Sequence, residues 1–359
     1  MMKSAFSALL SLGVLASSSC LLTPNQATAQ QLSPQDAQAI LAQANDLLQS
    51  AYEKTTTAST IEDFTSIIEI CLQARELDIP PQRAEYGKEL ESWALNRRGQ
   101  LYLDEGAFES ALADFEKSLL LDDTRWLAYH NRGFCYANLG NFKLALQDFE
   151  KTLALNPDYG KAYINRGEVH YAQGDFQKAV ENYSAALRLD NQDAETFNRR
   201  GHALFLAKRY QDSLNDYNQA IRLNPRKAEY LINRGDLHYD RGEFARASAD
   251  FRQAFQVEPR SHRAYASAAW MMATCRDQRF REPNQSLQAA QRAIELLPEE
   301  ESSLRYRYLE ILAAAQATSG MFEQAAATQE QAISVAPPEQ VPPLEAKLEN
   351  YRNNRPWRD

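Results

Sequence analysis

Residues 126–159 read WLAYHNRGFCYANLGNFKLALQDFEKTLALNPDY, and residues 160–193 read GKAYINRGEVHYAQGDFQKAVENYSAALRLDNQD. They are two writings of one 34-residue unit. The unit occurs five times without a gap, beginning at Ser92, Trp126, Gly160, Ala194 and Ala228. Counting places 1 to 34 within it, place 8 is glycine in every copy: Gly99, Gly133, Gly167, Gly201 and Gly235. Place 17 is aromatic (Phe108, Phe142, Phe176, Tyr210, Phe244), and so is place 24 (Phe115, Phe149, Tyr183, Tyr217, Phe251). Place 20 is small: Ala111, Ala145, Ala179, Ser213, Ala247. Pro157, Pro225 and Pro259 stand at place 32. A fixed period of this size is the mark of a stacked-repeat architecture.

Places 4, 7, 8 and 11 form a stripe at helical spacing, and places 20, 23, 24 and 27 form a second. Each unit therefore predicts two helices. Gly106, Gly140, Gly174 and Gly242 at place 15 supply the turn between them, with Lys208 in the remaining copy. Proline near place 32 stops the second helix. A glycine at place 8 weakens a helix by roughly 1 kcal/mol relative to alanine. Its recurrence opposite the small place 20 predicts a close approach of the two helices, with the aromatics of places 17 and 24 filling the space beside it. A single hairpin cannot bury both its faces, so each unit must stack on the next.

On these residues the chain resembles the tetratricopeptide repeat, a 34-residue helix-turn-helix with small residues at places 8, 20 and 27 and aromatics at 17 and 24. The resemblance implies an all-α, right-handed α-solenoid of stacked hairpins whose first helices line a concave groove. It implies a protein or peptide as partner without choosing one.

The full units are 92–125, 126–159, 160–193, 194–227 and 228–261. Before them, residues 30–91 read as a degenerate helix pair and a lead-in helix. Ser33, Pro34 and Asp36 predict a capped helix start, with Asp36 completing a capping box. After the full units, 262–305 reads as a variant unit with an enlarged turn over Arg276 to Asn284. Residues 306–339 read as a last unit, and 340–359 as a capping helix and tail, since terminal repeats must present one face to water. Residues 1–29 read as a cleaved signal peptide: Lys3 is the sole charge before Asp36, Ala5 to Ala16 is a compact apolar run, and Ala27-Thr28-Ala29 is a cleavage signal. The expected location is periplasmic or secreted; the rivals are a lipid anchor through Cys20 and an uncleaved anchor over the apolar stretch to Leu22, with membrane association only if the chain is anchored through its N-terminus.

The formal net charge is −9 with no basic block, which argues against nucleic acid as a partner. Cys71, Cys135 and Cys275 are scattered through helical segments, as buried hydrophobes are. There is no G-x-S-x-G, H-E-x-x-H, P-loop or C-x-x-C, and the histidines show no metal-ligand spacing. No enzyme, cofactor or metal is expected.

Two polar rows stand out. Place 7 is arginine in every unit, and place 23 is aspartate in four. Arg98 with Asp114, Arg132 with Asp148, Arg200 with Asp216 and Arg234 with Asp250 are expected as structural ion pairs between the two helices, while Arg166 faces Asn182. Place 6 carries Arg97, Asn131, Asn165, Arg199 and Asn233, turned toward the inner face. In peptide-binding members of the family such residues hold a ligand's backbone, which an amide can do as donor and acceptor together. The alternative is that these amides pack neighbouring hairpins. Place 12 adds Tyr171, Phe205 and Tyr239. Glu168, Glu195, Glu229, Asp236 and Asp240 make that part of the groove acidic, which favours a basic partner. The expectation is a non-enzymatic scaffold or adaptor binding a protein or extended peptide in its groove. The alternative is a structural envelope component that self-associates through its edges.

Overall fold

The computed structural model describes residues 33–359, so the signal-peptide reading of residues 1–29 and the Cys20 anchor lie outside the described residues. Two helices lead in, α1 (Pro34–Lys54) and α2 (Ile61–Arg75). The five units follow as hairpins: α3 (Pro81–Asp104) with α4 (Phe108–Leu121), α5 (Trp126–Asn138) with α6 (Phe142–Leu155), α7 (Gly160–Ala172) with α8 (Phe176–Leu189), α9 (Ala194–Leu206) with α10 (Tyr210–Leu223), and α11 (Ala228–Asp240) with α12 (Phe244–Val257). Then come α13 (His262–Thr274) with α14 (Pro283–Leu296), α15 (Arg305–Thr318) with α16 (Phe322–Val335), and the closing α17 (Val341–Arg352). Each helix packs on its hairpin partner, and the second helix of one unit packs on the first helix of the next. The result is an all-α solenoid.

The turns explain the place-15 glycines. Gly106, Gly140, Gly174 and Gly242 have φ of 73 to 77°, and Gly320 of 81°. In the first of them the Ala107 amide donates to the Tyr102 carbonyl and the Gly106 amide to Leu103, the pairing of a left-handed helix stop. Lys208 adopts the same turn at φ 60°, a conformation that a residue with a β-carbon holds only at some cost.

The place-8 glycines face the place-24 rings. A β-carbon built on Gly99, Gly133, Gly167, Gly201 or Gly235 would come within 2.6 to 3.0 Å of the place-24 ring of the same unit. The ring is what the glycine makes room for in every unit, and at Gly133 the place-20 Ala145 carbonyl is also near, 3.2 Å from where a β-carbon would stand. In the fourth unit place 20 bonds the glycine's backbone: the Ser213 hydroxyl donates to the Gly201 carbonyl at 2.7 Å. The place-24 rings are among the largest fully buried side chains in the protein, so their seat decides how near the two helices lie.

The place-7 guanidinium closes the hairpin beside that ring. Arg98, Arg132, Arg200 and Arg234 each donate twice, through Nε and Nη2, to Asp114, Asp148, Asp216 and Asp250 at 2.6 to 2.9 Å. In three units the third nitrogen reaches the second helix behind, bonding Thr65, Ser184 and Asn218. The carboxylates are buried. That burial pushes Asp148 and Asp216 above the usual carboxylate range, and the guanidinium only partly offsets it. Arg166 makes one bond, from Nε to the Asn182 side-chain oxygen at 2.7 Å.

At the ends, two details differ from expectation. Asp36 accepts from the Ser33 hydroxyl, so the box at Ser33 is not reciprocal; the full capping box is at Thr60 and Asp63. The enlarged turn after α13 contains a short 3-10 helix, Gln278–Phe280, whose Phe280 ring packs on Phe244 at 6.0 Å. α17 closes the stack by burying Leu344, Leu348 and Tyr351.

The ladder predicts coupling. In double-mutant cycles on Arg132 and Asp148, and on Arg234 and Asp250, the coupling should be about 1–3 kcal/mol, because losing one partner strands the other in a buried place. Additive single-mutant losses in denaturant unfolding would overturn this. Arg166→Met should cost less than Arg132→Met, since its partner is a neutral amide.

Candidate functional site: the first-helix face

The place-6 row is bonded between repeats. Asn165 donates to His130 Nε2 at 3.0 Å; His130 Nδ1 lies 3.2 Å from Asn131 Oδ1; Asn131 donates to Asn96 Oδ1 at 3.4 Å. An amide oxygen can only accept, so His130 carries its proton on Nδ1 and is neutral. The relay runs through three units. Further along, Asn233 donates to Asn198 Oδ1 at 2.8 Å and accepts from Arg263 at 3.0 Å. Asn131 and Asn233 are only 5% and 8% exposed. The expected peptide-holding track is corrected accordingly: place 6 of one unit lies beside place 5 of the unit before, and the amides are spent there. Arg97 is exposed and donates to Gln100 at 3.2 Å. Arg199 is partly exposed and reaches Glu168 on α7 and, at 3.3 Å, Glu195.

Two cavities open on the first helices. The smaller, about 270 Å³, gathers Tyr171, Arg199 and Asn233 with Glu168, His202 and Arg263. Its carboxylates are engaged: Glu168 with Arg199 and the Tyr183 hydroxyl, Glu195 with Arg199 and the Tyr230 hydroxyl, Glu229 with Arg263 at 3.3 Å. Three carboxylates face two guanidinia, so the site stays acidic but is less so than the sequence suggested. The Tyr171 hydroxyl lies 2.9 Å from His202 Nδ1, and the His202 ring stacks on Phe205 at 6.4 Å. The larger cavity, about 770 Å³, gathers Phe205 and Tyr239 with Asp236, Trp270 and Asp359. Burial pushes the Asp236 carboxyl up to about 6. Arg97, Asn131 and Asn165 line neither.

The segment after α17 lines the larger cavity through Trp357, Arg358 and Asp359. Trp270 Nε1 donates to Asp359 Oδ2 at 2.6 Å, with the Thr274 and Tyr239 hydroxyls at 3.1 and 3.3 Å from the same oxygen. Arg276 Nε donates to the Asp359 main-chain oxygen. Arg358 Nη1 donates to the Ala273 carbonyl at 2.9 Å and the Thr318 hydroxyl at 2.7 Å.

Sequence reasoning missed Trp270, Arg263 and His202 as lining residues, yet a signal was present. Counted from Gly160, Ala194, Ala228 and His262, place 9 holds Glu168, His202, Asp236 and Trp270, and place 2 holds Glu195, Glu229 and Arg263. Places 2, 6, 9 and 13 are one helical stripe. The carboxylates of this stripe are legible as groove charge, whereas His202, Arg263 and Trp270 break the acidic pattern and are found only by following the stripe itself. Elsewhere the chemistry is quiet: Cys71 and Cys135 are buried, which pushes both thiols up to about 12.

Models of the tetratricopeptide repeat match residues 94–125, 126–192, 194–227 and 232–273. The chain is a tetratricopeptide-repeat protein. No curated protein matches it. Among solved structures it is similar to a tetratricopeptide repeat protein from Parabacteroides merdae ATCC 43184 at 19% identity, over 77% of this chain and 99% of that one, with a TM-score of 0.51. It is also similar to PilF of Pseudomonas aeruginosa at 19% identity, over 61% and 98%, with a TM-score of 0.50. At these identities the likeness concerns the fold. It extends the repeat architecture beyond the five regular units of this tetratricopeptide-repeat chain.

The amide relay predicts a pH dependence. Burial pushes His130 down from 6.5 to about 4. The unfolded chain therefore binds more protons between those values. The stability carried by neutral His130 is whole above about pH 6.5 and lost as pH falls toward 4, on the order of 2–3 kcal/mol. Unfolding free energies measured from pH 7 to 4 should fall less steeply in His130→Gln. An unchanged slope would show that protonation here is not felt.

Proposed function

We propose that this tetratricopeptide-repeat protein is a non-enzymatic scaffold or adaptor that holds a protein or extended peptide on its first-helix face, after export to the cell envelope. The observation that carries the reading is the run of two cavities across α7, α9, α11 and α13, with aromatic walls at Tyr171, Phe205, Tyr239 and Trp270 and a charged mesh between. Sites that bind chains share this make-up: rigid aromatic surfaces supply apolar contact, and a few fixed polar groups set orientation. The excess of carboxylate favours a cationic side chain from the partner near Arg199. Tyr171, Arg199, Phe205 and Tyr239 keep their proposed contact roles. Asn131, Asn165 and Asn233 do not, because removing their amides strands buried partners.

Export rests on the pattern of residues 1–29. Among the described residues no helix is long and apolar enough to cross a membrane. The intact mass of the protein from a secreting host tests this part, and retention of residues 1–29 would overturn it.

The groove is tested by pairing affinity with stability. A partner captured from envelope extract should bind Phe205→Ala and Arg199→Ala about ten- to a hundredfold more weakly, a loss of roughly 1–3 kcal/mol each, with melting temperatures little changed. Asn131→Ala, which lies outside both cavities, should do the reverse, lowering the melting temperature while the folded fraction keeps its affinity. Affinity indifferent to Phe205 and Arg199 would remove the groove from the function.

A further inference from the structure

One wall of the larger cavity is built by the chain's own residues 357–359. Residues 353–359 leave α17 and cross the inner side of α15, α13 and α11. The Trp357 ring is half-buried beside Ala313, Ala317, Phe322 and Tyr351. Lys347 stands 5.1 Å from the centre of that ring and 5.5 Å from Trp270, tied to Glu310 at 2.6 Å. Arg358 meets Ala273 and Thr318, on α13 and α15. Asp359 engages through both side chain and main chain: its Oδ2 faces the Trp270 indole and two hydroxyls, its amide donates to the Thr274 carbonyl at 3.3 Å, and Arg276 bonds its main-chain oxygen. This is recognition of an extended segment, with an indole seat, a cup of N–H and O–H donors around a carboxylate, and main-chain bonds between.

We propose that the inner face of α11, α13 and α15 is a receptor for an extended segment carrying an aromatic residue two places before an aspartate, and that residues 357–359 fill it in cis until a partner segment of the same chemistry displaces them. This rests on the groove reading above and deepens it. Three observations support it. The carboxylate seat is directional: the Trp270 indole donates to Asp359 Oδ2 at 2.6 Å beside the Thr274 and Tyr239 hydroxyls, which also bond each other at 2.8 Å, and a bond to a charged acceptor is stronger than a neutral one. The occupant is a strand without secondary structure of its own after Asn354, held by side chains and not by a helix face. Finally, the cavity is not full: about 770 Å³ remains toward Phe205, Asp236 and Phe244. A partner segment that reached further into this space would gain contacts that residues 357–359 do not make.

A tethered occupant competes by effective concentration. At a value on the order of 1 mM, a segment with an intrinsic dissociation constant of about 100 μM would weaken binding in trans by about tenfold. A fluorescent peptide with the sequence of residues 353–359, NNRPWRD, is the probe, and its affinity is read by anisotropy on full-length protein. The variant Trp357→Ala/Asp359→Ala, which vacates the cavity, should bind it about tenfold more tightly than the unaltered chain. Asp359→Asn alone keeps the volume and should give part of that gain. Adding Tyr239→Phe and Thr274→Val to the vacated chain should remove it, as should asparagine for the last aspartate of the peptide. Circular dichroism and melting temperature identify any variant that fails to fold, and Asp359→Asn then serves in its place. Equal affinity of the peptide for unaltered, Asp359→Asn and vacated chains would overturn the proposal. So would binding indifferent to the peptide's aspartate, or a dimer dispersed by the peptide, which would mean the segment is exchanged between two copies. If the peptide fails while the captured partner still depends on Phe205 and Arg199, the cis occupant falls and the groove reading stands.

Discussion

Everything in this solenoid hangs on an aromatic ring lying against a bare helix backbone. The ring at place 24 occupies the space where a β-carbon at place 8 would be. That contact draws the two helices of a unit together and buries the largest side chains of the regular repeats. Close approach then dictates what the neighbouring places can be. A residue at place 20 must be small, and a charged pair at places 7 and 23 must be compact, planar and fully bonded, because water has little room beside it. The bidentate arginine–aspartate geometry meets this condition, whereas lysine would leave acceptor positions unsatisfied.

The stacking of one unit on the next is a second problem with a polar solution. Burying a side-chain amide without a partner costs about 1–3 kcal/mol. The place-5 and place-6 side chains avoid this by bonding one another across each joint, as Asn233 does with Asn198 and Asn165 with His130. The third guanidinium nitrogen of the place-7 arginines adds a bond to the helix behind in three units. These bonds are directional and so set register between units, which apolar contact alone does not. The consequence for function is spatial. With places 5 and 6 engaged in the joint, the surface left for a partner is the neighbouring stripe at places 2, 9, 12 and 13.

That stripe changes character along the stack. In the third and fourth units it is a mesh of carboxylates and guanidinia around Tyr171 and His202. In the fifth and sixth it becomes more aromatic, with Tyr239 and Trp270 beside Asp236 and Asp240. Regular repeats make such a gradient possible because packing places and surface places are separate: the packing pattern stays constant while the exposed stripe varies from unit to unit. The chain's own closing segment is seated at the aromatic end.

The sequence alone determined the architecture. A period of 34 with glycine, ring and small residue at constant places allows one kind of local structure, and constant spacing puts Arg132 across from Asp148 in any hairpin that turns near Gly140. These are local relations within about 20 residues, and helical geometry converts them directly into contacts. Tertiary structure decided what periodicity could not. Which face of the amide row points at the next unit depends on the rotation between stacked hairpins, and no spacing within one unit encodes that rotation. How tightly the glycine sits against its own ring depends on the depth to which the ring sinks. The meeting of Asp359 with Trp270 and Tyr239 joins residues 89 and 120 positions apart. It exists because the closing helix turns the chain back over the first helices, a path set by packing at the end of the stack.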